Sequence, residues 1–507
     1  MLSLPLLRRC MARPFPRPKH NMPTPLTFSP AGGLTMRNLF RLPSETLAAD
    51  IALAMRAIHT ATPLAKNHAR ELPYAVRDLS RLLTQDRSQL AQSYWVGKRL
   101  LFAYCRYFLP WNLLRLSWLL PNLDIPMPEN GVILDLGSGP LTFPLALWLT
   151  KPEWRALPLT VVCADVSPAP LSIGRDVFRH LAPDTPWKIE TVRAPLEKAL
   201  SGLRREASLI TAGNVLNELK PSRETPLEER LAALVRRIAS VLAPEGRFLA
   251  MEPGTRLGGK LMALTRLASF SAHLVPESPC PHWGRCPMLE PKATGWCHFS
   301  HTTAGAPRDL AALTARAKLD KDHLNLSCLL LRKASDEEKT AAAAHMAGLA
   351  DWDDADFDDD FDDDMNDDGR AGSDIREWAE AYSLARNSAV QQYVRILSDP
   401  IRLPDEAEAA RYACSARGLV LAKNAFRMPS GAAVAVRWPE KDAHDAKSGA
   451  LILELPKQEP RKPGAPVTRN KKPQDKKIQD KKPRDNKPRG AGPRPSRPAL
   501  RKKHDAP

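Results

Sequence analysis

The feature that most constrains this chain is a change of period at Gly131. Val132-Ile133-Leu134-Asp135-Leu136 is a short apolar run that ends in Gly137-Ser138-Gly139 and leads into a helical stretch over 141–149. A second apolar run begins at Leu159 and ends at Asp165. A helix over 170–181, strands near 189–192 and 208–212, a helix over 227–242, and strands at 247–251 and 324–331 continue the series. Strands alternating with helices predict an α/β fold, a parallel sheet covered by helices on both faces. A strand, a glycine turn and a helix turn backbone N–H groups and a helix N-terminus toward a ligand. An acidic residue at the end of the next strand then accepts bonds from ribose hydroxyls. Asp135, Gly137, Gly139 and Asp165 fill these positions. A dinucleotide fingerprint requires glycine where Thr142 stands, so the spacing does not fit a pyrophosphate site.

The flanks read differently. A length of 507 residues predicts two or three folded units, and 48 prolines point to unfolded segments beside them. Residues 45–125 carry a helical period with no strand-like alternation, an all-helical N-terminal domain. The most membrane-like stretch, 100–120, holds Arg106 and Arg115 and is broken by Pro110, which predicts a core helix pair and no membrane partner. Residues 1–44 have seven Lys/Arg and no acid before Glu45, the composition of a basic disordered arm or a targeting segment. The sheet domain is expected over 126–335, a helix and an acidic linker over 336–373, and an α+β region with short β runs over 374–455. From Asp351 to Asp368 there are 12 Asp and no base; from Lys457 to Pro507 there are 18 Lys/Arg against 5 Asp/Glu. Both segments are expected to be solvated, and 456–507 reads as a disordered tail. Setting both aside leaves a charge of +16 out of +17 on the remainder, so the folded part is basic in its own right and nucleic acid is the leading partner class.

Eight cysteines in a long chain without a clean secretory signal read as thiols or metal ligands in a reducing compartment. Cys280, Cys286 and Cys297 lie within eighteen residues in a loop (276–301) rich in proline and glycine, beside His282 and His298. Such spacing points to a metal. Zinc sites pair cysteines more closely, so zinc would need His282 or His298 as a fourth ligand. Wide spacing with a remote fourth thiolate suits a four-iron cluster, and Cys414 or Cys328 could supply it. Cys414 is the better candidate, because it lies near bases and glycine at the edge of a β run, whereas Cys328 sits inside a core-type strand.

The glycine turn resembles motif I of S-adenosylmethionine-dependent methyltransferases, with Leu141 where a third glycine usually stands. The resemblance implies a Rossmann-like methyltransferase sheet and S-adenosylmethionine held by Asp135, Gly137, Gly139, Asp165 and Asn214. Asn214 and Asn217 follow the strand at 208–212, where methyltransferases hold the acceptor. The Asn-Pro-Pro-aromatic motif of amino-group methylation is absent, Pro279-Cys280 follows the wrong strand for cytosine-5 chemistry, and no catalytic residue is assigned. Leu134 to Gly139, Asn217-Glu218-Leu219, Glu252-Pro253-Gly254, the cysteine loop and residues 395–418 together resemble the methyltransferase-like small-ribosomal-subunit assembly factors of mitochondria and bacteria (the methyltransferase-like protein seventeen type). That resemblance covers roughly 45–455. It implies a [4Fe-4S] cluster on Cys280, Cys286, Cys297 and Cys414. It also implies rRNA of the small ribosomal subunit as partner, no DNA, and a site of action on ribosomes of a bacterial cytoplasm or the mitochondrial matrix. Two readings of function follow: an assembly factor on a methyltransferase scaffold, or an active RNA or protein methyltransferase with a structural zinc site.

Overall fold

The computed structural model describes residues 37–457 apart from 85–96, 129–130, 220–224, 291–292, 294, 351–368, 386–392, 398 and 404–408. The Asp tract, the basic tail and residues 1–36 therefore lie outside the described residues.

Ser44 starts the helical region: its hydroxyl accepts the Leu47 N–H at 3.2 Å and caps α1 (Glu45–Ala61). At the other end Arg106 donates to the Thr62 and His59 carbonyls, satisfying acceptors that a helix C-terminus leaves open. After α2 (Lys66–Thr84) and α3 (Lys98–Ala103) the chain makes one wider, π-helical turn, Tyr104–Phe108, and continues as α4 (Leu109–Leu119). Pro110 does not break the stretch into the expected helix pair: it follows the π-turn within one continuous helical run over 98–119. Every residue of α4 except Arg115 is buried, which is what the expected core helix requires. No helix among the described residues is long and apolar enough to cross a membrane.

The large sheet is built from β2 (Val132–Leu136), β3 (Thr160–Asp165), β4 (Lys188–Arg193), β5 (Ala207–Gly213), β6 (Leu242–Pro253), β7 (Leu274–Ser278), β8 (Phe299–Thr302) and β9 (His323–Lys333). Its order is β4-β3-β2-β5-β6-β9-β7; the first five strands run parallel, and β9 enters antiparallel between β6 and β7. β8 pairs with the other end of β9. The covering helices are α5 (Thr142–Thr150), α6 (Pro168–Leu181), α7 (Leu196–Ser201), α8 (Leu227–Val241), α9 (Arg256–Phe270) and α10 (Arg308–Arg316). Burial alternates along the strands. Leu249 and Met251 join the core under α1, α4, α5 and α6, while Phe248 and Ala250 join the opposite core under α8 and α9. This is the two-faced apolar run of a buried parallel strand.

The helical N-terminal region is not an independent core. Ile51, Ile58, Leu113 and Leu116 share one cluster with Ile133, Leu145 and Val161 of the sheet domain. A second, smaller sheet has the order β1-β13-β10-β11-β12-β14, from β1 (Arg37–Asn38), β10 (Tyr393–Ile396), β11 (Arg411–Ser415), β12 (Gly418–Lys423), β13 (Ala432–Ala435) and β14 (Leu451–Glu454). Two helices, α11 (Asp336–Ala350) and α12 (Gly369–Ala385), precede its later strands. β1 departs from the sequence expectation of an arm through residue 44. Arg37 and Asn38 pair with β13, and Leu39 and Phe40 are buried, Phe40 against the Phe299 and His301 rings. Two large apolar residues outweigh the basic composition that suggested an arm.

Candidate functional site

At the carboxyl end of β2 the chain turns through two left-handed glycines, Gly137 (φ +64°) and Gly139 (φ +50°). A Cβ at Gly137 would lie 2.4 Å from Val215 Cγ2, so glycine is required there on steric grounds as well. Leu141, where a third glycine was expected, also adopts the left-handed region, at φ +59°. It is fully buried, and its Cδ1 stands where a Cβ on Gly174 of α6 would be, 2.7 Å away. The leucine therefore turns into the core beneath α6 and away from the turn. Burial of its side chain offsets a left-handed backbone that costs a non-glycine residue about 1–2 kcal/mol.

Asp135 lies under this turn. Its Oδ2 accepts from Ser138 Oγ at 2.5 Å and its Oδ1 from Thr211 Oγ1 at 2.6 Å. Burial pushes its carboxyl up to about 7 although both hydroxyls favour the ionised form. It holds the turn from below. Asp165, at the end of β3, accepts from the Gly139 N–H at 2.9 Å through Oδ2 and from the Ser167 N–H at 2.8 Å through Oδ1. Each carboxylate oxygen has a further lone pair, so these bonds orient the group without using it up. Burial raises its pKa against those bonds. Asn214 follows β5 in the left-handed region, at φ +57°, with its N–H on the Met251 carbonyl at 2.7 Å. The five residues expected at the cofactor thus gather at one sheet edge.

Two features of this edge went unassigned by sequence reasoning. Glu252, wholly buried at the end of β6, accepts the Leu216 N–H at 2.8 Å and a bond from Asn217 Nδ2, tying the loop after β5 to its neighbouring strand. Tyr104, on the π-helical turn, stands near enough to Asp165 and Glu218 for their charges to help burial raise its pKa. A π-turn often marks such places, but nothing in the local sequence announces one.

The thiols form a second cluster. Cys280, Cys286 and Cys297 come from the loop between β7 and β8, and Cys414 from β11 of the smaller sheet. Burial, then the charges of the other thiols, pushes Cys297 and Cys414 well up, and Cys286 up as well. The loop and the smaller sheet meet here, with Cys414 beside His282 of the cysteine loop. Cys328, in β9, is 3% exposed and adjoins Cys280 and Cys297. His282 Nε2 stands 3.3 Å from Cys414 Sγ. Two arginines complete the wall. Arg266 donates to the His282 and Gly284 carbonyls at 3.1 and 2.7 Å, and Arg395 to those of Pro279 and Gly431 at 2.8 and 2.7 Å. Burial lowers Arg395 to about 10, whereas the Cys280, Cys286 and Cys414 thiols hold Arg266 above its ordinary value despite burial. Among the described residues, no three His, Cys, Asp or Glu side chains converge on a point where they would hold a single metal ion.

Residues 103–345 match the family model described as mitochondrial small ribosomal subunit Rsm22. Over this segment the chain is similar to the Rsm22 family. Two relatives, the Rsm22-cox11 tandem proteins 1 and 2, mitochondrial, of Schizosaccharomyces pombe (strain 972 / ATCC 24843), are each 28% identical over 202 residues, or 37% of this chain. The match spans a quarter of the length of those relatives. Similar solved structures include a putative methyltransferase from Thermoplasma acidophilum (11% identity, 41% of this chain and 70% of that one, TM-score 0.24) and the mitomycin 7-O-methyltransferase MmcR (14%, 58% and 74%, TM-score 0.28).

The Rsm22 segment runs from the π-turn to α11. It contains the whole glycine edge and the three loop cysteines. Cys414 lies beyond it, on a strand that the rest of the chain supplies.

Proposed function

We propose that this protein acts in assembly of the small ribosomal subunit, binding its rRNA through a methyltransferase-type scaffold that carries an S-adenosylmethionine site and a [4Fe-4S] cluster. The Rsm22 match carries the ribosomal part, and the charge of +16 outside the Asp tract and tail suits an RNA partner. The names of the yeast relatives favour mitochondria as the site of action.

For the cofactor, the support is the edge itself: two left-handed glycines, a helix beginning at Thr142, and Asp165 held by its own backbone bonds with lone pairs to spare. Gly137 and Gly139 would face the amino-acid end, Asp165 would take the ribose hydroxyls, and Asn214 would close the far side. Asp135 would act through the turn it supports. The cofactor supplies a methyl group on a positively charged sulfur.

For the cluster, the support is the donor set, three cysteines of one loop with Cys414 beside His282 of that loop. Buried thiols beside the Arg266 and Arg395 guanidinium groups would be compensated once a metal core ionised the sulfurs. An iron–sulfur cube binds each thiolate at a different corner, so its ligands need not converge on a point. Zinc is the second reading, and His282 beside Cys414 is the observation favouring it.

Anaerobically purified protein is expected to hold iron and sulfide and to co-sediment with small subunits. Near-stoichiometric zinc without iron selects the second reading. Failure to bind small subunits or their rRNA removes the ribosomal one. Calorimetry with S-adenosylmethionine and transfer of its labelled methyl group to small subunits then divide enzyme from scaffold.

A further inference from the structure

Between the first turns of α9 and the cysteine loop lies a cleft of about 290 Å³, lined by Arg256, Lys260, Met288, Leu289, Glu290 and Trp296. One wall is a stack. Trp296 and His298 lie nearly parallel, with ring centroids 4.6 Å apart and planes at 17°. Arg256 also packs on the indole, its Cζ 4.8 Å from the ring centroid.

The stack is fixed by the chain around it. Trp296 Nε1 donates to the Gly254 carbonyl at 3.0 Å, and His298 Nδ1 lies 3.1 Å from the Trp296 carbonyl. A Cβ on Gly259 would come within 2.8 Å of Trp296 Cδ1 and 2.9 Å of the Cys297 carbonyl, so glycine there is what lets the indole seat. Arg256 and Lys260 lie one turn apart on the same face of α9, and both are exposed. Among the described residues neither forms an ion pair, with Glu290 or any other carboxylate. Elsewhere Arg155, Arg247, Arg332 and Arg417 are each held by an acid.

An exposed guanidinium on the Trp296 ring, an ammonium without an ion pair one turn away, and an apolar wall from Met288 and Leu289 match the parts of one nucleotide. A splayed base stacks on a guanidinium face, a phosphate meets the ammonium, and Glu290 can accept from a base N–H. Bases within a duplex have no free face to offer. The cleft opens at the carboxyl end of β6, two strands from the glycine turn across the order β2-β5-β6, on the same sheet edge. We infer that this cleft binds one nucleotide of single-stranded RNA, with its base on Arg256 and its phosphate on Lys260. This inference rests on the rRNA-binding reading above and gives it a specific contact.

The test uses the full chain, a labelled twelve-nucleotide oligoadenylate, and the same strand annealed in a duplex, titrated between about 50 and 200 mM salt. Arg256→Lys keeps the charge and removes the plane, so single-strand affinity is expected to fall at least about 5-fold, the lower end of a base-stacking contribution, at unchanged salt slope and unchanged duplex affinity. Lys260→Ala is expected to flatten the log–log slope by about 0.7, one phosphate of a single strand. Both side chains are exposed, so the variants should unfold within about 1 kcal/mol of wild type, the worth of the Arg256–Trp296 contact. Wild-type behaviour of Arg256→Lys overturns the inference, as does an equal loss on the duplex. Displacement of the oligonucleotide by polyglutamate with the same sensitivity to Arg256→Lys also overturns it, in favour of an acidic protein segment. Small-subunit rRNA binding that survives in both variants sinks this contact alone; its absence from wild type sinks the reading beneath it.

Discussion

The glycine edge and the thiol cluster contrast in how each accounts for its polar groups. At the edge the polar groups are satisfied within the sheet domain: both oxygens of Asp135 and both of Asp165 have donors, Thr211 and Ser167 among them, and Gly137, Gly139 and Leu141 take left-handed conformations. At the cluster, buried thiols from a loop and from a strand of another sheet lie near two arginines held by backbone carbonyls. Neutral thiols leave those cations without ionised partners, and ionised thiols repel one another. A site of the first kind folds before it binds. One of the second kind depends on what it holds.

The sharpest way to break this contrast is Cys414→Ser. Loss of essentially all bound iron and of the brown colour is expected, together with a lower unfolding midpoint, whereas Cys328→Ser should keep the iron and cost only packing. Retention of iron by Cys414→Ser would move the fourth ligand to Cys328 or His282 and shrink the site to one loop and its neighbours.

On the other side, the turn's independence is tested at Leu141. Leu141→Ala removes a buried side chain and keeps the left-handed backbone, so it is expected to destabilise by about 2–5 kcal/mol in urea unfolding. Leu141→Gly loses the same side chain but relieves the backbone, and should be the more stable of the two by about 1 kcal/mol. The usual order, alanine above glycine, would show that the backbone at Leu141 is not strained.

Asp165→Ala is a binding probe. It should weaken S-adenosylmethionine by about 1–3 kcal/mol in calorimetry, since hydroxyl groups of the cofactor lose their acceptor. If wild type binds nothing at millimolar cofactor, the edge is a scaffold that has kept its geometry and lost its ligand.

A last probe is a pH slope. With its carboxyl near 7 in the folded chain and 3.8 as the ordinary value, Asp135 keeps a proton that the unfolded chain has released in between. Folded protein then binds more protons, so this group's contribution falls as pH rises from about 4 to 7 and levels off above. The stability difference between wild type and Asp135→Asn should decline by up to about 1.4 kcal/mol per pH unit in that window. Parallel pH profiles would mean that Asp135 is ionised in the fold.

Much of the glycine edge was legible because its signals are local. An apolar run, two glycines and an acid at the end of the following run specify a strand, a turn and an acceptor within a short window. Even the missing third glycine pointed to the right backbone position, and Leu141 fills it in the left-handed region. Glu252 was quoted only as part of a motif, since its partners, Leu216 and Asn217, lie far from it in sequence. Tyr104 was read only as part of a core helix.

By itself, then, the sequence determined the alternating strands and helices, the turn between β2 and α5, and the grouping of three cysteines on one loop. These follow from side-chain period and from turn residues whose conformational freedom is a property of each residue. Tertiary structure decided that Arg37 and Asn38 pair with β13, that the helical region shares its core with the sheet, and that Cys414 comes to the loop cysteines. Those contacts join segments distant along the chain. They are set by which apolar faces can be buried against each other, and no local window of sequence contains both faces.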